Sequence, residues 1–211
     1  MKIKLIEMRF RLKFVTLFFL FTSNFVSNAQ NTLDNVGLTS ATPASVAYSL
    51  RQLSTSYTGP LVRVKVGASF YDVYPDASTK KFSLSSKIST SISTYNAAVS
   101  VASGNALSTI ISGSTDATVA IWYDQSGNGV DVLTSSASAQ IISLGTINTI
   151  NGQPTIFFNS AGYLVSSSTV DYSSQVGATV NAVVQNVATT SNVGGIIGTA
   201  YQYNKPGYGI A

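Results

Sequence analysis

The sequence predicts an all-β domain with a two-sheet sandwich or jelly-roll architecture. Short runs rich in Val, Ile, Thr and aromatic residues recur at roughly ten-residue spacing, separated by Gly, Asn and Ser. Hydrophobic residues make up 45% of the chain, which favours a packed β-rich protein over a disordered one. Charged residues are only 9%, so Ser and Thr are expected to provide much of the polar surface.

The strand-like runs are PLVRVKVG (60–67), SFYDVYPD (69–76), TVAIWYD (118–124), AQIISLG (139–145), TINTINGQPTIFFN (146–159), YLVSSSTV (163–170), ATVNAVVQNV (178–187) and VGGIIGTAY (193–201). In the first run Val alternates with Arg63 and Lys65, which predicts a half-buried strand. The nearly continuous apolar run 118–124 predicts a central, buried strand. Asn151-Gly152 predicts a tight turn between two strands.

One or two short helices are expected beside the strands. Thr42-Pro43 suits a helix start, and apolar residues then recur on one helical face as far as Tyr57, before Gly59-Pro60. A shorter helical turn is predicted in NALSTIISG (105–113). The stretch SLSSKISTSISTYN (83–96) fits a helix or a loose loop equally well.

Residues 1–29 are predicted to be a secretory signal peptide. Five basic residues precede the apolar run FVTLFFLF, and the segment closes on SNAQ, with cleavage expected after Ala29. A membrane anchor is the alternative, but Thr22, Ser23 and Asn24 leave the run short of the ~20 residues that cross a bilayer. Residues 30–211 are expected to form one domain, secreted or held at a bacterial cell surface, with no membrane span.

Removal of residues 1–29 changes the charge and the chemistry. Of 12 Lys and Arg residues five precede Ala29, and of 8 Asp and Glu residues only Glu7 does, so residues 30–211 carry seven of each. A chain of near-zero net charge is not expected to bind nucleic acid. Glu7 is the only glutamate, and the chain has no Cys and no His. These absences exclude disulfides, thiol catalysis, His-based triads and most zinc sites, and no cofactor is implied.

The polar stretch DQSGNG, residues 124–129, is interpreted mainly as a turn. Asp124 and Asn128 are suited to hydrogen bonds with nearby backbone, and Gly127 and Gly129 tolerate positive φ. A calcium loop is the alternative, because Asp124, Asn128 and Asp131 offer hard oxygen ligands.

Four stretches in this order resemble the catalytic domain of α-L-arabinofuranosidase B enzymes. They are AYSLRQLSTSYTGPLVRV (47–64), IWYDQSGNG (121–129), INGQPTIFFNSAGYL (150–164) and NAVVQNV with GGIIGTAYQ (181–187 and 194–202). The resemblance covers residues 36 to 211 and implies a concanavalin-A-like β-sandwich. It also implies a secreted retaining glycosidase acting on arabinose-containing polysaccharides, with a glutamate nucleophile and an aspartate acid about 5 Å apart.

Several departures from that family bear on function. The glutamate and the aspartate are expected downstream of the segment that matches KPGYGIA (205–211), so the chain is expected to be incomplete and no catalytic residue is assigned. Gly194-Gly195 stands where fungal members place two adjacent cysteines against the bound sugar; a simple bulge is the alternative. Tyr201, Tyr203 and Tyr208 suit stacking on sugar rings or coverage of a sheet edge.

The substrate-binding candidates are therefore Gly194, Gly195, Tyr201 and Tyr208, with no metal ligand assigned. The seven aspartates of residues 30–211 are interpreted as turn formers. The function expected from the resemblance is hydrolysis of terminal arabinofuranosyl units by the complete protein. The alternative is a noncatalytic laminin-G-like module that binds glycans or mediates adhesion.

Overall fold

The computed structural model describes residues 32–36, 38, 44–134, 138–158, 163–170 and 179–185, and the backbone of 197–198 and 209–210. The helical elements are α1 (Thr32–Asn35) and a 3-10 helix (Leu107–Thr109). The strands are β1 (Val62–Val66), β2 (Ser69–Val73), β3 (Lys87–Ser89), β4 (Ala102–Ala106), β5 (Ala117–Trp122), β6 (Val132–Leu133), β7 (Ala139–Ser143), β8 (Thr146–Ile147), β9 (Thr149–Ile150), β10 (Gln153–Pro154), β11 (Phe157–Phe158), β12 (Val165–Ser166), β13 (Ile197–Gly198) and β14 (Gly209–Ile210).

Ten of these strands form one antiparallel sheet, which follows the order β11-β7-β5-β1-β2-β3-β4. Strand β5 is central: β1 pairs along one side of it, while β7 and β6 pair with its first and second halves on the other. β12 extends the sheet from β6, and β8 pairs with β7. The prediction of an all-β fold is confirmed, and this curled sheet is consistent with a sandwich-like architecture.

A β-bulge in β5 gives the sheet two different buried faces. Val64 pairs with Val119 and Arg63 pairs with Ile121, so Ala120 is an extra residue on β5. The extra residue reverses the alternation of side chains along the strand. β5 thus contributes Ala117 and Val119 to one buried cluster and Ala120 and Ile121 to the other, and burial on both faces explains why 118–124 is a nearly continuous apolar run.

The face of the sheet that carries Val64 packs on the main hydrophobic core. This core collects side chains from five strands, β1, β2, β3, β5 and β7, and from residues outside the strands. Its buried members are Leu50, Leu61, Val62, Val64, Val73, Phe82, Ile88, Leu107, Ile111, Ala117, Val119, Ala139, Ile141 and Ile142. The second face, on the side of Arg63, carries a smaller cluster of Ala120, Ile121 and Tyr123 against Phe70 and Leu133.

The predicted helix ending at Tyr57 is wrong for the described residues 44–57. Their backbone groups bond to distant segments: Phe82 N donates to Leu50 O at 2.7 Å, and Gln52 N donates to Lys80 O at 2.8 Å. These pairs flank an antiparallel bridge between Arg51 and Lys81. A backbone group that is bonded across to another segment is not free to bond four residues along its own chain. The apolar residues at helical spacing therefore belong to a segment that is not helical.

The strand predicted in 178–187 is also wrong for the described residues 179–185, which form no strand. Other local predictions agree with the structure. The helical turn expected in 105–113 is the 3-10 helix, and the stretch 83–96 is mostly loop around β3 rather than a helix. Asn151 and Gly152 have φ of 50° and 72° and connect β9 to β10, which confirms the predicted tight turn.

Gly145 lies in the turn between β7 and β8, and Gly152 lies in the turn between β9 and β10. Together they provide a matched test of how closely the backbone packs at each turn. Both have positive φ, but a Cβ at Gly145 would lie 2.0 Å from Gly113 O, whereas a Cβ at Gly152 meets nothing within 4 Å. We expect Gly152→Ala to lower the free energy of unfolding by about 1 kcal/mol, from conformational strain alone. Gly145→Ala is expected to cost about 3 kcal/mol or more, because the backbone of the neighbouring turn must move. Equal losses in urea denaturation would contradict this assignment.

Candidate functional site

The second face of the sheet contains a buried ion pair between opposite residues of β1 and β2. Arg63 Nε and Nη2 donate to Asp72 Oδ1 and Oδ2 at 2.7 and 2.9 Å, and both side chains are fully buried. The remaining guanidinium hydrogens reach three backbone carbonyls, those of Tyr95, Ala97 and Ala98. All five donors of the Arg63 side chain are therefore satisfied.

Asp72 accepts hydrogen bonds from three further donors. Tyr123 donates its hydroxyl to Oδ1 at 2.7 Å, and Ser100 donates its backbone N–H and its hydroxyl to Oδ2, each at 3.0 Å. Burial by itself would raise the pKa of Asp72, but the hydrogen bonds from Arg63, Ser100 and Tyr123 outweigh it and lower the pKa. Burial and the charge of Asp72 raise the pKa of Tyr123, so its hydroxyl stays protonated and donating.

This network fixes the segment between β3 and β4 over the second face. The carbonyls of residues 95, 97 and 98 bond Arg63, the Tyr95 ring lies 6.5 Å from that of Phe70, and Tyr74 donates its hydroxyl to Ser100 O. The prediction that Arg63 lies on the exposed side of a half-buried strand is wrong. The sequence alternation is real, but the charged side chain faces a buried acceptor rather than water.

The second candidate site is the stretch 124–129. It is a turn whose side chains hydrogen-bond a distant segment, which confirms the interpretation as a turn. Gly127 and Gly129 have φ of 94° and 68°. The buried Asp124 carboxylate accepts four hydrogen bonds: Oδ1 from the N–H groups of Ala47 and Ser126, and Oδ2 from the Ser126 hydroxyl and Val130 N–H.

Gln125 carries most of the long-range contact of this turn. Its Oε1 accepts from Leu53 N at 2.8 Å, and its Nε2 donates to the carbonyls of Ser49 and Arg51, each at 3.0 Å. Asn128 Nδ2 donates to the carbonyls of residues 44 and 45 at 2.9 and 3.0 Å. We call this set of contacts from 124–128 to 44–53 the clamp. Sequence reasoning missed Gln125, because partners more than seventy residues away leave no local pattern.

Asp124 and Asp131 use their carboxylates for hydrogen bonds within the turn, and Asp124 also accepts one from Ala47 of the clamp. Asp131 Oδ1 accepts from Asp124 N at 2.9 Å, and burial together with the nearby charge of Asp124 raises the pKa of Asp131, while the Asp124 N–H opposes the shift. Both carboxylate oxygens of Asp124 accept hydrogen bonds, two each, from the four donors named for this turn. Across the described part of the chain, no three acidic, His or Cys side chains gather closely enough to hold a metal ion. These contacts favour the turn over the calcium loop.

The substrate-binding candidates Gly194, Gly195, Tyr201 and Tyr208 lie outside the described residues, as do Tyr203, Asp171 and the proposed signal peptide. Their roles stay predictions. Among the residues that are described, no helix has the length and apolar character needed to cross a membrane.

The outer strands β11 and β12 expose an aromatic and aliphatic surface that the sequence analysis did not assign to a site. Phe157 is 39% exposed, Phe158 41%, Tyr163 70% and Val165 54%. β11 pairs with β7 and β12 with β6, so these residues follow one edge of the sheet. We call Phe157, Phe158, Tyr163 and Val165 the aromatic edge. Exposed aromatic rings of this kind suit contact with the apolar faces of sugar rings.

Comparison with known protein families, with curated proteins and with solved structures finds no match to this chain. The resemblance to α-L-arabinofuranosidase B therefore rests on the motifs of the sequence itself.

The Asp72 network makes a prediction about stability and pH. We expect Tyr123→Phe to lower the free energy of unfolding by about 2 kcal/mol at neutral pH, because a buried hydrogen bond to a charged group is lost. The folded pKa of Asp72 lies below its ordinary value of 3.8. The stabilisation from Asp72 is therefore present above that pH and is lost as the pH falls through the folded pKa.

The difference between wild type and Tyr123→Phe should accordingly shrink in denaturation series below pH 4. Tyr163→Phe is the matched control, since that tyrosine is 70% exposed, and it should stay within about 0.5 kcal/mol of wild type. A Tyr123→Phe effect that does not change with acidification would contradict the network.

The clamp makes a second prediction. Gln125→Glu keeps the shape of the side chain but replaces a donor that faces two carbonyls with an acceptor, at a position only 3% exposed. We expect a loss of about 3 kcal/mol in thermal or urea unfolding. Asn128→Asp makes the same chemical change at an exposed position, and it should cost less than about 1 kcal/mol. Equal costs would rule out the buried clamp as described.

Proposed function

We propose that this protein is a secreted carbohydrate-active domain of the α-L-arabinofuranosidase B type, which recognises arabinose-containing polysaccharides. The observation that carries the proposal is the clamp. Two of the stretches that resemble the family, 47–64 and 121–129, contact each other directly through Asp124 and Gln125. Two stretches that resemble one family and are also hydrogen-bonded to each other support a scaffold shared with that family better than either stretch does alone.

Hydrolysis of terminal arabinofuranosyl units needs a nucleophile and an acid at about 5 Å separation. Among the described aspartates, Asp72, Asp76 and Asp124 are buried and hydrogen-bonded within the fold. Asp131 has a raised pKa, which suits an acid, but its carboxylate oxygen Oδ1 accepts from the turn backbone. We therefore propose that the described sheet supplies the scaffold, and that the reactive carboxylates come from residues outside it.

The second candidate function is a noncatalytic module that binds glycans or mediates adhesion at a cell surface. The aromatic edge favours it. Phe157 and Phe158 on β11 and Tyr163 just before β12 expose aromatic rings, and exposed rings can contact sugar units without any catalytic group.

Two measurements on the purified protein test these functions. The first is hydrolysis of an aryl arabinofuranoside, where we expect no turnover. Measurable turnover that a single substitution such as Asp131→Asn abolishes would show that the chain carries its own reactive carboxylate, contrary to the proposal.

The second measurement is binding to neutral arabinan and arabinoxylan by affinity electrophoresis. Tyr163→Ala is expected to weaken binding by roughly two- to tenfold, the loss of one aromatic contact. Tyr95→Ala is the control, since Tyr95 is also partly exposed but lies on the connection between β3 and β4. Absence of binding to either polysaccharide would contradict recognition of arabinose-containing polysaccharides, whereas binding without turnover that depends on Tyr163 would favour the second candidate function.

A further inference from the structure

The chain contains two Asn-Gly dipeptides, Asn128-Gly129 and Asn151-Gly152. The backbone nitrogen of a residue can attack the side-chain amide of an asparagine that precedes it, and glycine has no side chain to hinder this approach. Both dipeptides are exposed to solvent, and both lie in turns whose glycine has a positive φ. Dipeptide type and exposure alone therefore do not distinguish the two.

Asn128 is fixed by the clamp. Its Nδ2 donates to the carbonyls of residues 44 and 45 at 2.9 and 3.0 Å, and its backbone N–H donates to Ser126 Oγ at 3.2 Å. Asp124 and Gln125, at the start of the same turn, are buried. The Asn128 amide can rotate towards its own backbone only after both of its hydrogen bonds break.

Asn151 lacks these restraints. Within the described part of the chain, its side chain has no hydrogen-bond partner. Asn151 and Gly152 form the two-residue loop between Ile150 and Gln153, which pair across the hairpin. Because Asn151 is also exposed, its amide is free to rotate and water can reach it.

The hairpin that carries Asn151 is held by few contacts. β9 and β10 form a two-stranded sheet of their own, with two residues in each strand. None of these four residues is buried, and Pro154 has no backbone N–H to donate. Isolated two-stranded hairpins are marginally stable, and elements with few buried contacts open locally before the rest of a protein. Local opening lets Asn151 leave its φ of 50° and adopt the backbone conformation that the attack requires.

We propose that Asn151-Gly152 is a site of spontaneous deamidation and isoaspartate formation, and that the clamp protects Asn128-Gly129 from the same reaction. The co-reactant is water. The inference concerns the chemistry of the hairpin, and it does not depend on the proposed carbohydrate-active function.

The reaction has two steps. In the first, Gly152 N attacks Asn151 Cγ and forms a new C–N bond. The bond from Cγ to Nδ2 breaks, and ammonia leaves with the proton of the Gly152 N–H, which gives a cyclic succinimide. In the second step, water adds to one imide carbonyl. Cleavage between Cγ and Gly152 N gives aspartate, whereas cleavage between the main-chain carbonyl carbon of Asn151 and Gly152 N gives isoaspartate.

Both products alter the hairpin. Each adds one negative charge at an exposed position. Isoaspartate also adds a methylene group to the main chain of a two-residue loop, whose length sets the register of β9 and β10. Residues 155 and 156 connect this hairpin to β11, which carries Phe157 and Phe158 of the aromatic edge. Deamidation therefore changes the chain shortly before the aromatic edge.

Peptide mapping by mass spectrometry tests the site, after incubation of the purified protein at neutral and at mildly alkaline pH. Aspartate and isoaspartate should accumulate at position 151, and faster at the higher pH, because the Gly152 nitrogen attacks in its deprotonated form. We expect Asn128 to react roughly thirtyfold more slowly, which corresponds to about 2 kcal/mol, because two amide hydrogen bonds must break first.

The same incubation in concentrated urea is the matched control. Both asparagines should then react at comparable rates, because the dipeptide is the same and neither the clamp nor the hairpin is formed. Equal rates in the folded protein, or a faster reaction at Asn128, would overturn the proposal. Absence of reaction at Asn151 in the folded protein, while the unfolded chain reacts, would also overturn it.

Two single variants identify the source of the new charge. Asn151→Gln should remove the main acidic form that anion-exchange chromatography separates from the incubated protein, because a glutamine closes the larger ring far more slowly. Asn128→Gln makes the same change in the other dipeptide and should leave this acidic form in place. An acidic form that persists in Asn151→Gln and is lost in Asn128→Gln would refute the assignment.

Discussion

The buried ion pair between Arg63 and Asp72 is the constraint on which the second face of the sheet depends. A buried guanidinium is tolerated only when its charge is paired and each of its donors has an acceptor. Here the carboxylate of the adjacent strand and three loop carbonyls meet that requirement. Since those carbonyls belong to the connection between β3 and β4, one arginine ties a loop to the sheet, and the bulge at Ala120 brings Tyr123 onto the same face.

The clamp provides hydrogen-bond partners for backbone groups at the edge of the main core. Segment 44–57 has the apolar spacing of a helix but is not helical, and many of its carbonyls and N–H groups need partners elsewhere. Gln125 provides a donor and an acceptor together, and the neighbouring loop at 80–82 provides backbone partners on the other side. Side chains of one turn thus replace the hydrogen bonds that a helix would have made within itself.

These two networks use acidic residues as structural groups, and this has a consequence for recognition. Asp72 and Asp124 each accept four or more hydrogen bonds and are buried, so neither carboxylate is presented at the outer surface. The exposed rings of the aromatic edge are what the described surface offers for contact with sugars. The candidates Gly194, Gly195, Tyr201 and Tyr208 remain predictions, because the structure describes other parts of the chain.

The all-β class, the Asn151-Gly152 turn and the turn character of residues 124–129 can be predicted from the sequence, because each depends on local propensity and alternation. The burial of Arg63, the non-helical path of residues 44–57 and the contact of Gln125 with Leu53 cannot, and they become visible only in the folded protein. Burial of a charge and loss of a helix both depend on partners supplied from distant segments. The spacing of residues along the chain does not indicate which distant group will accept or donate a hydrogen bond.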